Sequence, residues 1–70
     1  MVDVFVREEI SKSEGSIISQ NEVYEKYQKF CEGHNEKPES KIWFSRKMNI
    51  FGYPVKLTND VRVYEGIKVM

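Results

Sequence analysis

The chain has one cysteine, one histidine and two prolines in 70 residues. The lone thiol, Cys31, excludes an intrachain disulfide. One Cys with one His excludes a four-ligand zinc site built from those residues. No apolar run approaches the ~20 residues of a membrane span, and the N-terminus lacks a signal peptide's apolar stretch. A free thiol without disulfides fits a reducing, cytoplasmic setting. There is no glycine-rich phosphate loop, no metal-ligand spacing and no nucleophile–base constellation. The chain is therefore expected to carry no catalysis of its own and no cofactor.

Net charge is missing too: 11 basic residues balance 11 acidic ones. The two signs are nevertheless segregated. Residues 1–36 hold four Lys/Arg against eight Asp/Glu, a net −4, and residues 37–70 hold seven against three, a net +4. Such asymmetry points to a nucleic-acid face in the second half. The acidic residues Asp3, Glu8 and Glu9 are spaced along a helix and read as plain solvated surface. A chain this short buries only about 60% of its unfolded surface, so its core must be efficient. Four Phe, four Tyr and Trp43 supply that core with large area per residue.

Periodicity gives the elements. Val2, Phe5, Val6 and Ile10 share a stripe at helical spacing, which predicts a helix over the first dozen residues. The run from Lys12 to Ser16 breaks it, and Ser16-Ile17-Ile18 reads as a brief strand. Ser19 to Glu22 matches a capping box, with Ser19 as N-cap and Glu22 reaching back. The helix it opens carries Val23, Tyr24, Tyr27, Phe30 and Cys31 on one face, and Gly33-His34-Asn35 ends it, with Gly33 as the expected breaker. Cys31 reads as a small buried hydrophobe, and His34 as a capping or surface residue near the helix end. Ser40 predicts the N-cap of a third helix reaching Phe51, with Phe44, Met48 and Phe51 inward and Gly52 as terminator. Trp43 and Ile50, seven apart, are expected to pack under the hairpin or the second helix; the alternative is an exposed partner surface. Two strands, 55–57 and 61–64, flank a three-residue turn at Thr58-Asn59-Asp60; the second is expected to bend or bulge at Glu65-Gly66 and to continue through Ile67-Lys68-Val69.

The order helix, short strand, helix, helix, hairpin predicts an α+β winged helix-turn-helix: three helices with a C-terminal two- to three-stranded hairpin wing. On the third helix, Ile42, Ser45, Arg46 and Asn49 point away from the core, with Lys41 and Lys47 at the borders. A guanidinium, an amide and a hydroxyl are groups that reach base edges and phosphates. The N-terminus at Ser40 suits one phosphate. Lys56 and Arg62 on the hairpin are placed to grip backbone. The candidate DNA-binding set is thus Ser40, Lys41, Ser45, Arg46, Asn49, Lys56 and Arg62.

The residues Val23-Tyr24, Tyr27, Phe30-Cys31-Glu32, Pro38, Ser40, Phe44, Arg46, Met48, Gly52, Arg62 and Gly66-Ile67 resemble the C-terminal domain of phage, plasmid and poxvirus-type primase–helicases. That family has a Leu-Tyr-x-x-Tyr-x-x-Trp-Cys helix, then a Pro-x-Ser-x-x-x-Phe-x-x-x-Leu-x-x-x-Gly helix, then a hairpin ending near Arg-x-x-x-x-Gly-Ile. The resemblance spans about residues 2–69. The chain departs at Val23 for Leu, Phe30 for Trp and Met48 for Leu, all apolar exchanges. The resemblance implies one winged-helix domain over residues 1–70, excised from the end of a larger replicative primase–ATPase. Its partners would be DNA and the upstream domains of the same chain, with no membrane, and the isolated domain would be a monomer. Two alternatives stand beside DNA binding. One is a winged helix that docks onto the parent ATPase or a replication partner. The other is a small phage or plasmid transcription regulator.

Overall fold

Three helices and a three-stranded antiparallel sheet make up the chain in a computed structural model that describes residues 1–70. The elements are α1 (Val2–Glu9), β1 (Ile10–Ser19), α2 (Gln20–Gly33), α3 (Lys41–Ile50), β2 (Lys56–Thr58) and β3 (Val61–Val69). The sheet order is β1-β3-β2, so the last strand is central and each edge is an earlier strand. The architecture is mixed α+β.

The first helix is shorter than the predicted dozen residues. Ile10 turns to extended backbone (φ −98°, ψ 128°) because it pairs with Val69, and the Met70 N–H donates to the Glu9 carbonyl at 2.8 Å. The break expected at Lys12–Ser16 and the short strand after it are in fact one ten-residue strand with a bulge. Its register moves from Lys12↔Ile67 to Ile17↔Glu65, so residues 13–16 face the single residue Gly66. Gly66 takes φ 75°, where an L side chain would be strained. The extra residues flip the phase of the pairing. Tyr64 and Ile67, three apart rather than two, therefore both enter the core.

Helix α2 follows β1 without a linker. Ser19 ends the strand and caps the helix, its Oγ accepting the Glu22 N–H at 3.1 Å. The return bond from the Glu22 carboxylate does not form, so half of the capping box is present. Gly33 stays helical, and Asn35 (φ 55°) supplies the left-handed stop expected of the glycine. Asn35 N–H reaches the Glu32 carbonyl at 3.1 Å and Glu36 N–H the Cys31 carbonyl at 2.9 Å, a Schellman closure. His34 is the C-cap, its Nδ1 2.9 Å from the Phe30 carbonyl. Helix α3 closes the same way at Gly52 (φ 94°), with Tyr53 N–H on the Met48 carbonyl at 2.9 Å. Phe51, predicted inward, is its C-cap and is 44% exposed: the helix ends before the third member of the stripe turns into the core.

The hairpin turn has two residues rather than three. Thr58 pairs with Val61, leaving Asn59 (φ 50°) and Asp60 (φ 63°), both left-handed as a type I′ turn requires.

The core is aromatic. Phe44 stacks on Tyr27 at 4.6 Å, and Phe5 meets Tyr27 edge-on at 5.5 Å, so α1, α2 and α3 join through rings. Val2, Val23, Cys31, Met48, Tyr64 and Ile67 complete it. Two tyrosine hydroxyls hold the start of α3. Tyr24 Oη donates to the Glu39 carbonyl at 2.7 Å, and the Glu39 N–H donates to Tyr27 Oη at 3.0 Å.

This core has a pH signature. Burial pushes the Tyr27 phenol up to about 12, and burial raises Tyr64 as well. Unfolded tyrosines ionise near pH 10, so between about 10 and about 12 the unfolded chain binds fewer protons than the folded one, and stability falls as pH rises through that window. Urea midpoints measured at about pH 9 and about pH 11.5 should show the loss, and equal midpoints would contradict it.

Candidate nucleic-acid interface

An open groove of about 640 Å³ runs where α2 begins, α3 begins and the hairpin turns. Ser19, Gln20 and Asn21 form one wall, Lys41, Ile42, Ser45 and Arg46 the second, and Asp60, Val61 and Arg62 the third. The local sequence explains each wall. The Ser19 cap starts α2 immediately after the strand, so Gln20 and Asn21 lie at its first turn. In α3, the inward pair Phe44 and Met48 sets the helix rotation. Ser45 and Lys41 then fall on the side toward α2, and Arg46 lies opposite the core. The type I′ turn carries Arg62 back beside them, across from Leu57.

Hydrogen bonds hold the walls together. Buried Gln20 donates through Nε2 to Ser45 Oγ at 2.5 Å, tying α2 to α3. Lys41 Nζ donates to Asn21 Oδ1. Behind them the Tyr64 hydroxyl is buried without a hydrogen bond of good geometry. Burial is the main reason its phenol is raised, and nearby Ser45 and Gln20 pull it partly back. Three cations, Lys41, Arg46 and Arg62, line the groove against one carboxylate, Asp60.

The structure thus brings together four of the seven residues predicted as a site: Lys41, Ser45, Arg46 and Arg62. The other three lie elsewhere. Ser40 is committed to capping α3, its Oγ 3.4 Å from the Trp43 N–H. Asn49 is exposed on α3, beyond the groove. Lys56 pairs with Glu65 at 3.2 Å, one strand position away from the groove wall. Lys47, a border residue, pairs with Glu39 at 2.8 Å. Sequence reasoning missed Gln20 and Asn21. Their signal was the Ser19 cap, which puts the next two residues at a helix start.

Trp43 corrects another expectation. It is 55% exposed and Ile50 is 79% exposed, although packing was predicted for both. The sheet packs against α2 and α1, so nothing from the hairpin reaches over this side of α3. The Arg46 guanidinium lies over the indole, 5.1 Å from its centroid. Ile42, at 68% exposed, extends the apolar area toward the groove.

A small α+β domain with a polar, cation-lined groove and an exposed tryptophan beside it is the class these features define. The family model described as Poxvirus D5 protein-like matches residues 2–59, from α1 through β2. The chain belongs to that family, of the primase–helicase type. No curated protein and no solved structure gives a significant match. No helix is long and apolar enough to cross a membrane.

Proposed function

We propose that this chain is a winged-helix module through which a replicative primase–helicase engages DNA. In this reading α2 and α3 are the helix-turn-helix pair, the β2–β3 hairpin is the wing, and the module closes the C-terminal end of a larger chain. Its role is binding, with priming and ATP hydrolysis assigned to other domains. One observation carries the reading: α3 and the hairpin, distant in sequence, deliver Lys41, Arg46 and Arg62 to one groove. Phosphates are the natural partners of such a set, with Asn21 and Ser45 adding neutral polar contacts. The segregation of charge along the chain supports it.

Three cations opposed by Asp60 give modest affinity that fades with salt. An amide-shift titration with short duplex and single-stranded DNA at low salt tests this. Shifts should cluster at Asn21, Lys41, Ser45, Arg46 and Arg62 and shrink as salt is added. A titration with no shifts for either substrate would remove the DNA reading.

A second reading has its own observation. Trp43, Ile42 and Ile50 are all more than half exposed on one side of α3, and Trp and Arg together are common anchors of protein interfaces. In that reading the domain docks onto the parent ATPase or a replication partner.

A further inference from the structure

We propose that Trp43 is a stacking platform for an unpaired base, so that the domain binds where a duplex opens into a single strand. The inference rests on the DNA reading and deepens it.

Four observations lead there. The indole is the largest apolar group of the chain, and more than half of Trp43 is in solvent. The Arg46 guanidinium lies over one face of the ring, 5.1 Å from its centroid. The same Arg46 lines the groove, so the indole stands outside the groove but next to one of its three cations. Finally, the surface of α3 around Arg46 is unlike one built to read base edges. Ile42, Trp43 and Ile50 are exposed there, and Asn49 is the one amide among them. Base edges call for donors and acceptors. An aromatic face next to a basic track instead suits a base that has left its stack, because every base has a π-face.

The geometry therefore divides the labour. Lys41, Arg46 and Arg62 hold backbone phosphates in the groove, and the indole takes the adjacent unpaired base. The Arg46 side chain links the two, since it contacts the indole and lines the groove. No sequence preference is expected from the platform, because stacking tolerates any base.

Trp43 is the only tryptophan, so its fluorescence reports the event directly. Three probes are titrated into the 70-residue chain at low salt: a blunt duplex, the same duplex with a single-stranded overhang, and the single strand alone. The overhang duplex and the single strand should quench Trp43, and the blunt duplex should not. Anisotropy of labelled DNA should then show that Trp43→Ala weakens the overhang duplex roughly tenfold or more while leaving the blunt duplex unchanged. Trp43→Phe should retain part of the preference, and circular dichroism should show both variants folded. Equal affinity for blunt and overhang duplexes with no quenching would overturn the platform and leave the groove reading intact. No binding to any probe would overturn the groove reading and the platform together, and would assign the Trp43 surface to a protein partner.

Discussion

Phe44→Ala should nearly abolish the folded state, whereas Phe51→Ala should leave it standing. Phe44 is fully buried and touches Tyr27 at 4.6 Å, Tyr24 at 5.5 Å and Phe5 at 6.1 Å. Removing its ring opens a cavity at the point where all three helices meet. Phe→Ala in a core costs about 3–5 kcal/mol. A domain of this length has a total stability of roughly 4–10 kcal/mol. The variant should therefore melt some 15–30 °C lower or be unfolded at room temperature. Phe51 lies on the same predicted stripe but is 44% exposed. Its truncation should cost about 1 kcal/mol or less. Thermal melts of the two variants separate the observed packing from the periodic pattern. Similar losses would mean that Phe51 is packed as deeply as Phe44.

The second large effect concerns charge. Replacing Lys41, Arg46 and Arg62 together with Gln should remove most DNA affinity at low salt. It should also flatten the dependence of log K on log salt by roughly 2–3, since each phosphate contact contributes a slope of about 0.9. Two comparisons make the result specific. Lys29→Gln, on the far side of α2 among Glu25, Glu32 and Glu36, should change nothing. Lys56→Gln should matter less than Arg62→Gln, because Lys56 is already paired with Glu65 and stands outside the groove. An unchanged salt slope in the triple variant would place any phosphate contacts on another surface.

These expectations show which residues carried their structure in the sequence. Ser19 and Ser40 announce their helices because a hydroxyl before an apolar stripe has one obvious use, and both cap as read. Val23, Tyr27 and Cys31 recur at helical spacing and are all fully buried. Gly52 ends α3 because it can adopt a left-handed conformation cheaply. Strand β1 was hard to see for a physical reason. Its first half contains Lys12, Ser13, Glu14 and Gly15, without alternation, and it is a strand only because β3 returns to pair with it. The end of α2 at Gly33-His34-Asn35 was legible, but within it the left-handed residue is Asn35 and not Gly33, because an asparagine also adopts that conformation.

The groove was half legible. Lys41, Ser45, Arg46 and Arg62 follow from helical geometry and the hairpin. Gln20 looks like an ordinary polar residue on a helix surface; its burial depends on Ser45, 25 residues later. The exposure of Trp43 was legible only as the alternative to packing. Periodicity places a side chain on a helix, but only the tertiary arrangement decides whether a neighbouring element covers it.

The two tyrosine hydroxyls at Glu39 have a mechanical consequence. They grip the backbone on both sides of one residue, immediately before α3 begins. A pull on α3 is therefore delivered to α2 through two short, directional bonds as well as through the 34–40 loop. From α2 it passes through the Tyr27 and Phe5 rings to α1 at the other end of the chain. The start of α3 is thus tied to α2 directly and not only through the 34–40 loop.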